Sequence, residues 1–165
     1  MITVTIPETP TSDTTSDTTS DTARRARNLA AVEAAFRGVG NADAAEQMQQ
    51  YTDDIVIELP YTQPPKRVEG KTAALAYLTN AFVVFHMQLT ITEVHECLDP
   101  DELVVEFVSQ GTVATTGNSY ANQYINVFRF RDGAIRFQRE FFNPNAATLA
   151  LVPAAPAVPG TEVSR

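Results

Sequence analysis

Glu140, with Gln138 two places before it and Asn126 on the preceding segment, is the grouping in this sequence best suited to acid–base chemistry. A carboxyl group set among aromatic rings loses hydration of its charged form, so its pKa rises toward neutrality and it can give or take a proton at working pH. Each such transfer is worth roughly a hundred- to ten-thousand-fold in rate. The two amides can hold a substrate or fix the carboxyl rotamer, and Tyr77, Tyr124 and Tyr61 can add hydroxyl donors. All of this requires Glu140 to face inward.

Its facing is a question of strand register. The stretch from Asn118 to Pro144 reads as two alternating strands joined at Asp132-Gly133, a hairpin signal between β-branched and aromatic residues. A two-residue loop sets Glu140 beside Ile125 and leaves Asn126 on the opposite face. A three-residue loop, Arg131-Asp132-Gly133 with Gly133 left-handed, pairs Phe130 with Ala134. Tyr124, Asn126 and Phe128 then share a face with Gln138, Glu140 and Phe142. The three-residue loop is expected, because it gathers rings around a carboxyl and two amides and sends Arg129, Arg131 and Arg139 to the other side. The plainer alternative for Glu140 is an ion pair, for which Arg136 can reach along the strand.

Other chemistry-bearing residues group less well. Glu58 precedes Leu59-Pro60 on a strand whose facing is open. His86, at a helix-to-strand junction, is a candidate pocket base near a cavity mouth. His86 and His95 lack zinc-ligand spacing, and His95 with Glu93 and Glu96 reads as an exposed strand end. Gly38-Val39-Gly40 lacks the further glycine and the preceding strand of a phosphate loop. No serine sits on a strand-to-helix elbow. Nothing in the sequence supports a nucleotide, flavin or metal cofactor.

A net charge of −8 and a pI near 4.7 argue against nucleic acid and anionic membrane as partners. The single cysteine, Cys97, excludes an intramolecular disulfide and a cysteine metal cluster. No apolar run is long enough to span a bilayer and the N-terminus lacks the order of a signal peptide, so a cytoplasmic protein is expected.

The elements that must position Glu140 follow from periodicity. Residues 1–22 hold a short apolar alternation and three Thr-Ser-Asp-Thr repeats, and are expected to be a disordered tail. The folded domain is expected over 23–152. Leu29, Val32, Ala35 and Phe36 mark a helix over 23–38, stopped by Gly38–Gly40. Asn41 is expected to cap a second helix through Tyr51, with Met48 and Tyr51 on its inner face. A strand over 53–59 leads into an irregular loop over Pro60–Pro65, and the Pro60–Lys66 segment lies where a lid would be. Gly70 precedes a helix with the stripe Ala74, Leu75, Leu78 and Phe82. Strands over 87–98, 102–114, 119–131 and 134–142 follow as a meander, then a helical turn over 146–152 and a flexible proline-rich tail over 153–165.

This order predicts an α+β fold, a curved antiparallel sheet forming a cone with three helices packed on its concave face and an apolar cavity between. The outward face, with Ile125, Val127 and Phe141 among arginines, is apolar enough to predict a homodimer.

The strings YTDDIVIELP (51–60), RVEGKTAALAYL (67–78), TGNSY (116–120) and YINVFRFRDGAIRFQREFFNP (124–144) give the chain, over about residues 28–150, a resemblance to the SnoaL-like and ketosteroid isomerase-like family of the nuclear transport factor 2-like superfamily. The resemblance implies a SnoaL-like α+β barrel. It does not carry over every catalytic position. The tyrosine and two acids of the steroid isomerases fall near Ala35, at Leu59 and at Asn126. The arginine and first aspartate of limonene-type epoxide hydrolases fall at Phe107 and Ser109, and their second aspartate at Glu140. In the similar phenazine-biosynthesis proteins a histidine stands where this chain has Tyr77, and their glutamate matches Glu140.

The expectation is a cofactor-free acid–base enzyme acting on an apolar, oxygenated biosynthetic intermediate, by cyclisation, isomerisation or epoxide opening. Glu140 would carry the proton, with Asn126 and Tyr77 beside it. Phe107, Tyr124, Phe128 and Phe142 would be the walls, with Gln138, Ser109, Leu59, Tyr61 and His86 as further contacts. The alternatives are a non-catalytic binding or dimerisation module of the same fold, and an epoxide hydrolase with an altered acid set.

Overall fold

The structure is a computed structural model and describes residues 14–153. The expectations for residues 1–13 and 154–165 lie outside the described residues. Helices α1 (Thr14–Gly40) and α2 (Ala44–Met48) come first, then strands β1 (Tyr51–Leu59) and β2 (Lys66–Glu69). Helix α3 (Lys71–Val84) leads into β3 (Phe85–Glu96), β4 (Glu102–Val113), β5 (Ser119–Arg131) and β6 (Ala134–Phe142), and α4 (Pro144–Ala150) closes the order. Among the described residues no helix is long and apolar enough to cross a membrane.

The six strands form one sheet in the order β2-β1-β6-β5-β4-β3. It is mixed rather than antiparallel throughout, because β1 and β6 run parallel. After the β1–β2 pair, α3 carries the chain to the far edge, and the four-strand meander returns to lay β6 beside β1. Register shifts in β1, β3 and the β5–β6 pair mark bulges, which bend strands and deepen twist. The sheet curves without closing, and β2 and β3 remain as edges.

Helix α1 lies across the hollow of the sheet. Val32 and Ala35 are fully buried against Val105, Phe107 and Phe128, and Leu29 and Phe36 are half-buried at their flanks. The helix begins at Thr14, not at residue 23, which corrects the expectation of an unstructured tail for residues 14–22. The β3–β4 turn ties down this half of the helix. Arg24 pairs with Asp101, Arg25 donates to the Cys97 carbonyl at 2.6 Å, and Asn28 donates to the Pro100 carbonyl at 3.0 Å. Apolar periodicity carries no trace of such polar docking.

Three further expectations are corrected. Asp43, not Asn41, caps α2, accepting the Glu46 N–H at 2.9 Å; the helix ends at Met48, and Tyr51 opens β1. Leu75 is exposed, because α3 buries Ala74 and Phe82 on the adjoining stripe. Lys66, expected to close the loop that starts at Pro60, instead opens the edge strand β2, for which periodicity gives no sign.

The β5–β6 hairpin is closed by two residues, not three. Asp132 and Gly133 both take positive φ, 54° and 83°, and Arg131 pairs with Ala134. Two successive left-handed residues match the twist of the flanking strands. Arg136 is then extruded as a bulge, so Phe130 pairs with Ile135 but Arg129 pairs with Phe137. Beyond it the register places Asn126 directly opposite Glu140, with Phe128 opposite Gln138 and Tyr124 opposite Phe142.

Candidate active site

The inner face of β5 and β6 forms one wall of a cavity of about 180 Å³ between the sheet, α3 and α4. Leu59, Tyr77, Phe107, Tyr124, Gln138, Glu140 and Phe142 line it, together with Tyr120, Phe85 and Leu89. Its walls are mostly carbon, and Glu140 is the one acid among the lining residues.

Glu140 is partly accessible, through the cavity it lines. One of its oxygens, Oε2, accepts hydrogen bonds from Asn126 Nδ2 at 3.1 Å and Gln138 Nε2 at 3.2 Å. Among the described residues Oε1 has no hydrogen-bond partner and no arginine pairs with the carboxyl. Arg139, the residue before it in the chain, points to the other face and binds Glu58 at 2.7 Å. Burial raises the Glu140 pKa above the ordinary carboxylate value, and the two amide donors pull only partly against it. With Oε2 occupied by two N–H donors, the acid form carries its proton on Oε1.

The support for Glu140 reaches back through a directed chain. Gln47 donates to Tyr51 Oη at 3.2 Å, Tyr51 donates to Gln138 Oε1 at 2.6 Å, and Gln138 thereby turns its N–H toward Glu140. Gln47 reaches Tyr51 because α2 packs directly on α1. A Cβ at Gly38 would stand 2.5 Å from the Gln47 backbone nitrogen, so only glycine permits that approach. Burial drives the Tyr51 pKa strongly upward, which keeps it a neutral donor. Asn126 is fully buried behind Glu140, and its Oδ1 has no partner among the described residues.

A second polar chain runs up β5. Tyr120 Oη and Tyr124 Oη are 2.7 Å apart, Asn122 Nδ2 donates to Tyr120 at 3.1 Å, and Ser109 Oγ lies 3.2 Å from Tyr124 Oη. The Tyr124 ring stacks flat on Phe107, centroids 4.6 Å apart, which fixes its hydroxyl. Tyr77, on α3, is half-buried with its hydroxyl pKa pushed up to about 12 by burial and by the Glu140 charge.

The structure therefore gathers Glu140, Gln138, Tyr77, Tyr124, Phe107, Phe142 and Leu59 at one cavity. Asn126 donates to Glu140 and does not line the cavity, which makes it a positioning residue, and Ser109 sits behind Tyr124. Three expected contacts are corrected. Phe128 is wholly buried in the core beneath the cavity. His86 is exposed, since the alternation of β3 turns Phe85, Met87 and Leu89 inward. Tyr61 is 54% exposed and packs its ring on Phe141 at 5.3 Å, so its loop folds over the outer face and not over the cavity. Tyr51, Gln47, Tyr120 and Asn122 were not anticipated. Extending the β5 alternation back from Tyr124 finds Tyr120 and Asn122; no local signal finds the other two.

A profile of the SnoaL-like domain matches residues 32–138. The uncharacterized PhzA/B-like protein of Pseudomonas aeruginosa is 31% identical over 112 residues, covering 67% of this chain and 79% of that protein. Among solved structures, a suspected isomerase from Bacillus subtilis superposes with a TM-score of 0.73 at 27% identity, over 77% of this chain and 94% of the other. A phenazine biosynthesis-related protein of Pseudomonas aeruginosa shares the fold, with a TM-score of 0.69 at 20% identity over 90% of this chain and 99% of the other.

Proposed function

This chain belongs to the SnoaL-like domain family, and from that premise we propose that it is a cofactor-free acid–base enzyme acting on a small, apolar, oxygenated intermediate, with Glu140 Oε1 as the atom that moves the proton. The observation that carries the reading is the asymmetry of the Glu140 carboxyl. One oxygen is held by two buried amides, the other has no partner among the described residues, the residue lines an apolar cavity, and burial raises the group's pKa. That combination suits a group that alternates between acid and base. Isomerisation of an unsaturated carbonyl compound, or ring closure through an enol, requires one such group to remove a proton at carbon and return it elsewhere.

The epoxide hydrolase alternative has less support, because Phe107 and Ser109 supply neither the cation nor the second carboxyl that would position water. The test is proton exchange in deuterium oxide. Small cyclic ketones should acquire deuterium at the carbon beside the carbonyl, followed by nuclear magnetic resonance, and Glu140→Gln should stop it while still binding them. Persistence of exchange in that variant would remove Glu140 from the chemistry, and label from heavy-oxygen water appearing in a diol would favour the hydrolase.

The outer sheet face supports self-association. Ile125, 44% exposed, lies opposite Phe141 on the neighbouring strand, beside Tyr61. The surrounding charges are paired within the chain: Arg139 and Arg67 with Glu58, Arg131 with Asp54, Arg129 with Glu102. An apolar centre with an internally neutralised rim suits a second copy of the same surface, which meets it without a clash of like charges.

A further inference from the structure

The hydroxyl chain on β5 leaves one proton without an acceptor. Asn122 is fixed at both ends: Oδ1 accepts the backbone N–H groups of Gln123 at 2.9 Å and Asn143 at 3.1 Å, and Nδ2 donates to the Asn143 carbonyl at 2.9 Å. Its remaining N–H therefore goes to Tyr120 Oη. Ser109 is 1% exposed, and Tyr124 Oη is its hydrogen-bond partner among the described residues. Were Tyr124 to donate to it, the serine proton would be buried with nothing to accept it, so Ser109 is the donor. Each phenol oxygen thus already accepts from outside the pair. The two phenols bring two protons, and one of them bridges the 2.7 Å between their oxygens. The other has no acceptor among the described residues, and both rings line the cavity.

An O–H group left unpaired in an apolar space is unfavourable, so a ligand oxygen that accepts from it is favoured there. The group stays protonated, since burial raises both phenol pKa values and the nearby Glu140 charge raises them further. Among the described residues no Lys, Arg or His lines the cavity, so an anionic ligand would meet Glu140 without a counter-charge. The volume of about 180 Å³ is close to that of a cavity able to hold benzene, and below the range of drug-sized pockets.

We propose that this phenolic O–H, shared between Tyr120 and Tyr124, is the recognition group for the carbonyl oxygen of a compact, neutral, single-ring substrate. The inference rests on the acid–base reading only for what happens next, at Glu140; recognition of the oxygen stands on the proton count. Withdrawal of electrons by this donor would also acidify the carbon beside the carbonyl, the position from which Glu140 Oε1 would take a proton.

The test uses cyclohexanone against methylenecyclohexane, which keeps the ring and replaces the oxygen by carbon. The full chain should bind the ketone about tenfold more tightly. Its ¹³C-labelled carbonyl signal should move downfield from the value in alkane solvent. Each single change, Tyr120→Phe or Tyr124→Phe, leaves one phenol donor and should preserve most of the preference, whereas the double variant should abolish it. Glu140→Gln should keep the preference while losing exchange, so loss of catalysis and loss of recognition are read separately. Equal affinity for the two probes, or an alkane-like carbonyl signal in the unmodified protein, overturns the inference whether or not the double variant folds.

Discussion

Glu58 and Glu140 lie on adjacent strands of one sheet and are driven in opposite directions. Glu58 pairs across the strands with Arg139, the residue immediately before Glu140. On the outer face Arg139 binds Glu58 at 2.7 Å with Arg67 on its other side, and holds its carboxyl below the ordinary range. Glu140 has no cation among the described residues, only two amides and a cavity, and its carboxyl is raised. The outer face has further arginines, with the guanidinium groups of Arg129 and Arg139 stacked 4.9 and 5.3 Å from the Phe137 ring. The inner face has tyrosines and amides. Strand alternation has sorted charge pairs to one side and unpaired polarity to the other, and only the second kind of carboxyl is free to exchange a proton with a ligand.

The sharpest way to break this contrast is to exchange carboxyl for amide on each face in turn. Glu140→Gln should lower turnover by roughly a hundred- to ten-thousand-fold, and Glu58→Gln should leave it unchanged. Equal effects would mean that the faces do not divide the labour. Next in size is Ile125→Lys, placed at the apolar centre of the outer face. It should weaken self-association by about thirtyfold, read by sedimentation equilibrium, with turnover per folded chain retained. A chain that is monomeric before the change would refute the dimer.

Tyr51→Phe probes the inner face at one remove. Without the Tyr51 hydroxyl, Gln138 is free to turn, and Glu140 loses an N–H donor that favours its charged form. The carboxyl pKa should rise further, so the acidic limb of the pH–rate profile should move to higher pH while kcat falls about tenfold. An unshifted limb would show that the chain from Gln47 serves packing alone.

How much of this was legible in the sequence differs between the two faces. The alternation of β5 and β6 correctly placed Tyr124, Asn126, Gln138 and Glu140 on one side and the arginines on the other, yet the expected turn was wrong. A two-residue loop at Asp132-Gly133 would by itself have turned Glu140 outward, and the bulge at Arg136 turns it back. Burial of a whole strand face fixes facing more strongly than a turn dipeptide fixes loop length. The bulge has no compositional mark. Tyr51 read as helical because Met48 and Tyr51 are three apart, a spacing that also fits a helix end followed by a strand. Its partner Gln138 is 87 residues away, and nothing local announces such a contact. Phe128 and Phe142 lie on the same face, but only depth along the cone decides that one is core and the other wall.

The smallest effect separates the two carboxyls by the sign of their contribution to stability. A carboxyl lowered on folding stabilises the native state above its unfolded pKa, and that contribution is lost as pH falls through the folded value. Glu58→Gln should therefore cost up to about 1 kcal/mol at neutral pH, in urea titrations at low salt, and the difference from the unmodified protein should close in acid. For Glu140 the sign reverses. Its raised pKa means that the native state favours the protonated form, so stability falls as pH climbs from the unfolded value through the folded one. Glu140→Gln removes that loss and should gain on the unmodified protein as pH rises. Salt distinguishes the causes as well. At about 1 M salt the screening length is about 3 Å, so the Glu58 difference, which comes from partly exposed ion pairs, should shrink. The Glu140 difference comes from lost hydration and should persist. Two pH-dependent differences of the same sign would mean that the inner carboxyl is charged and paired, and the acid–base reading would fall with that result.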